Sequence, residues 1–302
     1  MKRRKWLFAC VLTMLLAAIA LTGCGSNNGA NGGSNASSNG NAASGGAAEG
    51  DGAGNAGGDQ AAGSAALDAI KSRGKLVVGV KFDTKLFGLK DPASGNVEGF
   101  DVDIAKALAK EIVGDETKIE LKEVTSKTRI PMLNNGEIDM IVATMTVTEE
   151  RKKEVDFSDV YFKAGQSLLV KKGSPIKSID DIKKGIKVLA VKGSTSVDNI
   201  KEKAPDATVL EFDNYQDAFS ALKAGQGDTL TTDNAILYGM AAQDPNYEVV
   251  GEPFTDEPYG IAIKKGETAL LDAVNAGLKK LNDSGAYKEI YEKWIGETPA
   301  TN

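Results

Sequence analysis

The sequence of 302 residues has no histidine, and its two cysteines, Cys10 and Cys24, both lie near the N-terminus. Without histidine, Ser-His-Asp triads, histidine acid–base catalysis and His-ligated zinc are excluded. A disulfide or a cysteine-ligated metal in the rest of the chain is excluded as well. The turn Lys192-Gly193-Ser194 fits neither the dinucleotide-binding nor the P-loop motif, so nucleotide binding is not expected. We therefore expect neither a cofactor nor a metal.

Positive charge is also scarce, with 36 Lys and Arg against 42 Asp and Glu and a formal net charge of −6. Four of the cationic residues, Lys2, Arg3, Arg4 and Lys5, stand together at the N-terminus, so the rest of the chain is more acidic still. This balance provides no electrostatic attraction to phosphate backbones. A nucleic-acid partner is not expected.

Residues 1–23 have the three parts of a signal peptide: a basic start, an apolar run from Trp6 to Leu21, and small residues before Cys24. The terminal Leu21-Thr22-Gly23-Cys24 resembles the lipobox of bacterial lipoproteins. That resemblance implies cleavage before Cys24 and attachment of lipid to its thiol, which would anchor the protein outside the cytoplasm on the bacterial cell membrane. The alternatives are an ordinary signal peptide or an N-terminal anchor helix.

Residues 25–66 have the composition of a flexible linker. Only Glu49, Asp51, Asp59 and Gln60 in this segment are not Gly, Ala, Ser or Asn. Such a sequence buries too little apolar surface to offset the entropy of ordering it. With the lipidated Cys24, residues 24–66 are expected to tether the folded part of the chain, and no later apolar run is long enough to cross a bilayer.

The remainder alternates apolar runs with amphipathic segments, which favours an α/β fold with mainly parallel sheets flanked by helices. Asp101 and Asp103, at the start of one such segment, are interpreted as helix-start residues rather than metal ligands. Strands are predicted near residues 75–80, 117–124, 138–143, 166–171, 186–191, 207–212, 228–232 and 259–264. Helices are predicted over 100–112, 129–135, 195–203, 215–224, 233–242, 267–283 and 285–294.

Three stretches, at residues 98–105, 144–158 and 285–294, together resemble the polar amino-acid branch of the extracellular solute-binding proteins that serve ABC transporters. The resemblance implies a two-lobed fold of the periplasmic-binding-protein type II, joined by a two-strand hinge. The first lobe would comprise 67–163 and 256–302, and the second 164–255. It also implies a protein that binds an amino acid, has no enzymatic activity, and works with permease and ATPase subunits. A monomer is the simplest expectation.

A free amino acid needs a cation for its α-carboxylate and an anion for its α-ammonium, because an unpaired buried charge costs several kcal/mol. Arg151 suits the first role, since it follows the polar run 144–148 where a strand ends and a helix begins. Thr146 and Glu149 also fit a capping box, so the Thr146 hydroxyl has a possible structural role. Asp233 suits the second role, because it lies at the carboxyl end of a predicted strand.

The resemblance supports these assignments residue by residue. It implies that Arg151, Thr144 and Thr146 contact the α-carboxylate from the first lobe, and that Asp233 contacts the α-ammonium. It also implies that Ser194 and Thr195 reach the α-carboxylate from the second lobe.

The pocket for the ligand side chain suggests an acidic amino acid. Glutamine-binding members carry an aspartate where this chain has Lys81, while Ser126 and Arg129 are similar to residues of glutamate- and aspartate-binding members. Two cations facing a neutral amide would stay partly unpaired. Glutamate, then aspartate, is therefore expected, with glutamine as the alternative. In another reading, Lys81 points to solvent and Arg129 pairs with Asp83 or Glu123.

Aromatic contacts are less well defined by the sequence. Tyr215 lies where some acidic-amino-acid binders place a polar ring, and either Phe82 or Phe87 could form the floor of the pocket. Two other classes stay open: a dehydratase or lyase on the same fold, for which Glu98 and Asp83 are the nearest carboxylates, and a sensory domain.

Overall fold

The computed structural model describes residues 57–296. The expected signal peptide (residues 1–23), the lipid site at Cys24 and most of the expected linker lie outside the described residues.

Within this range the chain alternates short strands with helices. The helices are α1 (Gly57–Arg73), α2 (Phe100–Val113), α3 (Arg129–Asn134), α4 (Thr195–Lys203), α5 (Tyr215–Lys223), α6 (Asn234–Gln243), α7 (Thr268–Ser284) and α8 (Ala286–Trp294). The strands are β1 (Leu76–Val80), β2 (Asp83–Thr84), β3 (Gly88–Lys90), β4 (Val97–Glu98), β5 (Ile119–Glu123), β6 (Met140–Ile141), β7 (Val155–Ala164), β8 (Gln166–Lys171), β9 (Lys187–Val191), β10 (Thr208–Phe212), β11 (Thr229–Asp233), β12 (Tyr247–Val250) and β13 (Glu257–Lys264).

The first sheet has the strand order β5-β1-β6-β13-β7. Strand β1 pairs in parallel with β5 and β6, and all five of its residues are buried, as in a strand covered on both faces. Helices α1, α2, α3, α7 and α8 pack against this sheet or against one another. We call this sheet and its helices the first lobe.

The second sheet has the order β10-β9-β11-β8-β12, with α4, α5 and α6 packed around it. We call it and these helices the second lobe. The chain enters it through Gly165, between β7 and β8, and returns between β12 and β13. These two crossings lie against each other, because a Cβ on Gly165 would stand 2.6 Å from both Pro253 Cβ and the Thr255 carbonyl oxygen.

Each sheet is mainly parallel, as expected, because four of its five strands run in one direction and a single strand is reversed. In the first, β13 is antiparallel to both β6 and β7; in the second, β8 is antiparallel to both β11 and β12. The reason is the path of the chain: β7 leaves the first lobe and β13 re-enters it beside β7, so the two run in opposite directions. Parallel pairing needs a crossover of a dozen or more residues, and the connections from β1 to β5 to β6 and from β9 to β10 to β11 are of that length.

Helix α1 begins inside the segment that the sequence assigned to the linker, so residues 57–66 belong to α1 instead. Alanine is the best helix former, and Ala66, Leu67 and Ile70 pack against the core of the first lobe. The Ala66 N–H also donates to Glu267 Oε2 at 3.2 Å. Tertiary packing therefore extends the helix into a sequence of low complexity.

The core of the described chain is aliphatic around both sheets, with an aromatic group near the crossings. Phe87, Phe100, Phe162 and Tyr259 have ring centroids 5.2–6.0 Å apart in successive pairs. Among residues 57–296, no helix is both long and apolar enough to span a bilayer.

Candidate functional site

The expected site residues all follow strands of the two sheets, at the ends where those strands stop. In the first lobe, Lys81 follows β1, Ser126 follows β5 and Thr144 follows β6. In the second lobe, Ser194 follows β9, and Asp233 is the last residue of β11. The carboxyl ends of parallel strands form one edge of a sheet, and this is where open α/β sheets bind ligands.

Lys81 is fully buried, which rules out the reading that it points to solvent. Its Nζ donates to Ser126 Oγ at 2.9 Å and lies 5.1 Å from the centre of the Tyr215 ring. Burial, with a smaller contribution from Arg129, lowers the pKa of Lys81 to about 8, although Asp83 opposes the shift. Two donor hydrogens of Lys81 remain for a ligand if Ser126 takes one.

Arg129 is 2% exposed and makes no pair with Asp83 or Glu123. Its Nη1 donates instead to the carbonyls of Ala143 and Thr144, at 2.7 and 3.3 Å. Its Nε is buried without a hydrogen-bond partner among the described residues. Burial first, and the nearby guanidinium of Arg151 second, lower the pKa of Arg129 to about 9.

Arg151 opens a single turn of 3-10 helix and lies at the boundary between the lobes. Its Nη1 donates to the Thr146 carbonyl at 2.8 Å, and its Nη2 donates to the Gly193 carbonyl of the second lobe at 3.1 Å. Three of its five N–H groups remain for a ligand. Burial lowers the pKa of Arg151, and the carboxylates of Glu257 and Asp233 oppose the shift.

Thr148, and not Thr146 as expected, caps the helical turn that begins at Arg151. The Arg151 N–H donates to Thr148 Oγ1 at 3.1 Å, whereas Thr146 pairs as an isolated bridge with Tyr259 and is buried. Thr144 has a positive φ of 44°, a strained conformation for a β-branched residue. Its Oγ1 is buried without a partner in the described part of the chain.

Asp101 is buried at the start of α2, and its carboxylate binds groups outside the helix instead of capping it. Its Oδ2 accepts from the Thr144 N–H at 2.8 Å, and its Oδ1 accepts from the Tyr161 hydroxyl at 2.8 Å. The strained backbone of Thr144 is thus held by a carboxylate from α2. Asp103 likewise reaches across to α8, where it accepts from Trp294 Nε1 at 2.7 Å.

Asp233 is the one buried carboxylate that the second lobe places beside these cations. Its Oδ2 accepts from the Tyr259 hydroxyl at 2.5 Å, while its Oδ1 has no partner within residues 57–296. Burial, followed by the charge of Glu257, raises the pKa of Asp233 to about 7, although Tyr259, Arg151 and Arg129 oppose the shift. An unpaired, buried carboxylate oxygen is a suitable partner for an ammonium group.

The second lobe brings three more of the expected residues to the site. Tyr215 is buried at the start of α5, with its hydroxyl 3.1 Å from Thr232 Oγ1. Ser194 donates from its hydroxyl to the Val191 carbonyl at 2.7 Å, and Thr195 Oγ1 donates to Glu257 Oε2 at 2.8 Å. The last two hydroxyls are therefore committed to the protein. The Ser194 N–H also donates to the Val191 carbonyl, at 3.2 Å, so the Thr195 N–H at the start of α4 is the better candidate for an anion.

Two residues of the site, both on β13, were not predicted from the sequence. Tyr259 is fully buried against Asp233, and Glu257 accepts from Thr195, Thr255 Oγ1 and Asn199 Nδ2 at 2.7–2.9 Å. The signal available in the sequence was a buried strand, and a strand pattern does not tell which polar residue will face a cleft.

Of the two phenylalanines considered for the floor of the pocket, Phe87 is buried against Tyr259, with ring centroids 5.9 Å apart. Phe82 is partly exposed, and its ring lies beneath Lys90.

The outer part of the site opens to a cleft of about 730 Å³ between the lobes. Its walls include Ser126 and Arg151 from the first lobe and Gly193, Ser194 and Thr195 from the second. Arg151 and Asp198 are among the charged residues that line it, so both signs of charge face one cleft. Such an arrangement suits a small zwitterion.

Comparison with known proteins gives the family. The model of the bacterial extracellular solute-binding proteins, family 3, matches residues 76–297. The chain is 70% identical over 234 residues to the ABC transporter glutamine-binding protein of Bacillus subtilis, covering 78% of this chain and 86% of that protein. It is 34% identical over 302 residues to a glutamate-binding protein of Corynebacterium efficiens, covering 96% and 91%.

Among solved structures, an ancestral arginine-binding protein bound to glutamine is 47% identical. It covers 74% of this chain and 99% of its own, with a TM-score of 0.70. The expected two-lobed type II fold is confirmed by this likeness and by the two sheets joined through two crossings. The chain belongs to the bacterial extracellular solute-binding proteins of family 3.

Proposed function

We propose that this protein binds a free polar amino acid, glutamine first, in the cleft between the lobes and delivers it to an ABC importer. The observation that carries the proposal is the set of buried polar atoms without partners among the described residues. Arg129 Nε, Thr144 Oγ1 and Asp233 Oδ1 provide two donors and an acceptor, and Arg129 and Asp233 are close enough for their charges to affect each other's pKa. An unpaired buried polar atom costs free energy, and a zwitterionic ligand would recover it.

The α-groups of the ligand find partners of opposite charge. We assign the α-carboxylate to the free N–H groups of Arg151, with Thr144 and Thr146 beside it. The backbone N–H of Thr195, next to Ser194, would reach it from the second lobe. The α-ammonium is assigned to Asp233 Oδ1, with the Tyr259 hydroxyl fixing the other carboxylate oxygen. These pairings bring charges together in a site from which water is excluded, where each interaction is stronger.

The side-chain pocket comprises Lys81, Ser126, Arg129 and Tyr215. Here we reverse the order expected from sequence and place glutamine ahead of glutamate. The chain is twice as similar to a relative named for glutamine as to one named for glutamate. The structure also weakens the argument for a second carboxylate on the ligand, because both cations already have partners in the protein. Arg129 donates to two main-chain carbonyls. Lys81 donates to the Ser126 hydroxyl, lies over the Tyr215 ring and is stabilised by the charge of Asp83. A glutamine amide oxygen can accept from Lys81 without a full countercharge.

Closure of the lobes is the mechanism we propose, with residues 67–163 and 256–302 moving as one body and 164–255 as the other. The first lobe would capture the ligand, and the second would close on it and complete the charge pairing. Ligand drives closure only by binding the closed form more tightly.

We also retain the proposal that lipid on Cys24 anchors a monomer to the membrane beside its permease and ATPase partners. An enzymatic role finds no support in the relatives, which are named as binding proteins.

A thermal-shift screen of the full-length protein against the twenty amino acids tests the proposal. A ligand at 100 times its Kd adds about 2.7 kcal/mol to the free energy of unfolding, so a binder raises the unfolding temperature by several degrees. We expect glutamine to give the largest rise. A larger rise with glutamate would restore the acidic pocket, and no rise with any amino acid would overturn the proposed function.

A further inference from the structure

The loop after β1 touches the second lobe through contacts separate from the one between Arg151 and Gly193. It runs over residues 81–85, and we call it the β1 loop. Its contacts are made to the start of α5 and to the middle of α6. Neither helix is joined to the β1 loop along the chain, so these contacts exist only while the lobes are together.

Asp83 caps a helix of the opposite lobe. The first N–H groups of any helix have no intrahelical partner. In α5 the side chain of Asn214 accepts from one of them, the Asp217 N–H, at 2.8 Å. Asp83 Oδ2 accepts from another of these N–H groups, that of Tyr215, at 2.7 Å. The main-chain carbonyl of Asp83 also accepts from Gln216 Nε2, at 2.9 Å. A carboxylate at a helix N-terminus also interacts favourably with the helix dipole.

A second contact fits the lobes at closer range. Gly239 of α6 faces Lys85, and a Cβ at position 239 would stand 2.6 Å from the Lys85 carbonyl oxygen. Real Cβ atoms do not approach a backbone oxygen so closely, and this oxygen belongs to a main chain that cannot swing aside. Gly239 has no positive φ to explain it, so the requirement for glycine here is the approach of the other lobe.

We propose that the β1 loop is a latch, in which Asp83 caps α5 across the cleft and Lys85 seats against Gly239, and that this latch sets how long the protein holds its ligand. The proposal rests on the proposed function, since it concerns retention of the bound amino acid. Asp83 is a positioning residue, because it acts through Tyr215, whose ring lies over Lys81. Ligand can enter while the latch is open, so the latch acts on dissociation rather than on association.

Stopped-flow binding of glutamine to full-length variants tests the latch. In Asp83→Ala we expect koff to rise about tenfold or more, the size of a lost hydrogen bond to a charged group, with kon within about twofold of the wild type. Asp83→Asn keeps an acceptor of the same shape and should fall between the two. Asp228→Ala is the matched control, because Asp228 Oδ2 accepts from the Lys187 N–H at 2.7 Å inside the second lobe, and its koff should be unchanged. An unchanged koff in Asp83→Ala overturns the proposal.

Gly239→Ala provides a second, independent variant. We expect about tenfold weaker glutamine binding, while the unfolding midpoint without ligand does not fall, since alanine is the better helix former. Gly277→Ala in α7 is its control, because the Cβ there would meet Leu108 Cδ2 within the first lobe and should leave koff unchanged. A lower midpoint without ligand and unchanged binding in Gly239→Ala would mean ordinary packing and would contradict the latch.

The latch and the proposed function can fail separately. If the wild type binds no amino acid, the proposed function is wrong, and the latch is then judged by hydrogen exchange in the ligand-free protein. Asp83→Ala must speed exchange of the Tyr215 amide relative to Asp228→Ala. Equal exchange in the two variants would overturn the latch without reference to any ligand.

Discussion

At the scale of single residues, Asp233 is the group on which the proposed binding mode depends most. Its Oδ1 is buried and unpaired among the described residues, while Tyr259 holds Oδ2. Asp233→Asn keeps the shape but removes the countercharge of the ligand's ammonium, so we expect at least about 100-fold weaker binding of every amino acid. Isothermal titration calorimetry checks this, with the exposed Asp228→Asn as control. Unaltered glutamine binding would remove Asp233 from the site.

Lys81 tests the assignment of the side-chain pocket. In Lys81→Met the apolar stem remains and the donors are lost, so glutamine binding should weaken by about tenfold. Glutamate should lose more, because it loses the attraction of a full charge as well as a hydrogen bond. Competition calorimetry with both ligands measures the difference, with Lys90→Met as an exposed control. Equal losses for the two amino acids would place Lys81 away from the ligand's side chain.

Much of the site at residue scale could be predicted, because periodicity locates the strand ends and the family resemblance selects residues that follow them. Lys81 lies 2.9 Å from Ser126, and Arg129 is close enough for its charge to lower the pKa of Lys81. The chemistry of each environment could not be predicted. Arg129 donates to two main-chain carbonyls, and this depends on the backbone path of residues 143–144. No local sequence pattern predicts that path. Tyr259 and Glu257 were missed because their partners lie far away along the chain.

At the scale of elements, α1 makes a prediction about stability. Ile70 is 1% exposed in the core of the first lobe, and the helix that carries it begins in a sequence expected to be linker. Ile70→Ala should lower the free energy of unfolding by about 2–5 kcal/mol, as expected for a buried aliphatic side chain. Urea unfolding measures this, with the exposed Lys71→Ala as control. A loss below about 0.5 kcal/mol would mean that α1 contributes little to the fold.

The elements also show where periodicity is informative. The long amphipathic helices lie within a residue or two of the predicted bounds, because 3.6-residue spacing over several turns is a strong signal. The small sheet β2-β3-β4 was missed, since strands of two or three residues have no period to detect. The reversed direction of β13 and β8 was not predicted, because strand direction depends on how the chain crosses between lobes, which is a property of the whole path.

At the scale of the whole molecule, the two lobes meet along a seam whose contacts are polar. Arg151 reaches the Gly193 carbonyl at one end, and Asp83 reaches α5 at the other. Groups of both charges also lie where the lobes meet, so the proposed closure would bring the charge pairs together at the same time. This coupling follows from topology: both sheets present the carboxyl ends of their parallel strands to the same cleft.

The pH dependence of binding and of stability should run in opposite directions. Burial raises the pKa values of Asp233 and Asp101 to about 7, well above the ordinary aspartate value. The folded protein therefore takes up protons more readily than the unfolded chain, and without ligand the free energy of unfolding should fall as pH rises from about 4 through 7. Glutamine binding needs Asp233 ionised, so its affinity should rise over the same range, by about tenfold per pH unit below 7.

Calorimetry and urea unfolding between pH 5 and 8 separate the two trends. The α-groups of glutamine keep their charges in this range, and Lys81, with its pKa lowered to about 8, is still mainly charged below pH 7.5. Asp228→Asn should keep both trends, because that side chain is exposed and outside the site. Asp233→Asn should lose the binding trend and weaken the stability trend, leaving the contribution of Asp101. A glutamine affinity that stays constant from pH 5.5 to 8 would show that Asp233 binds in a form that does not titrate, and the charge pairing proposed for the ammonium would have to be abandoned.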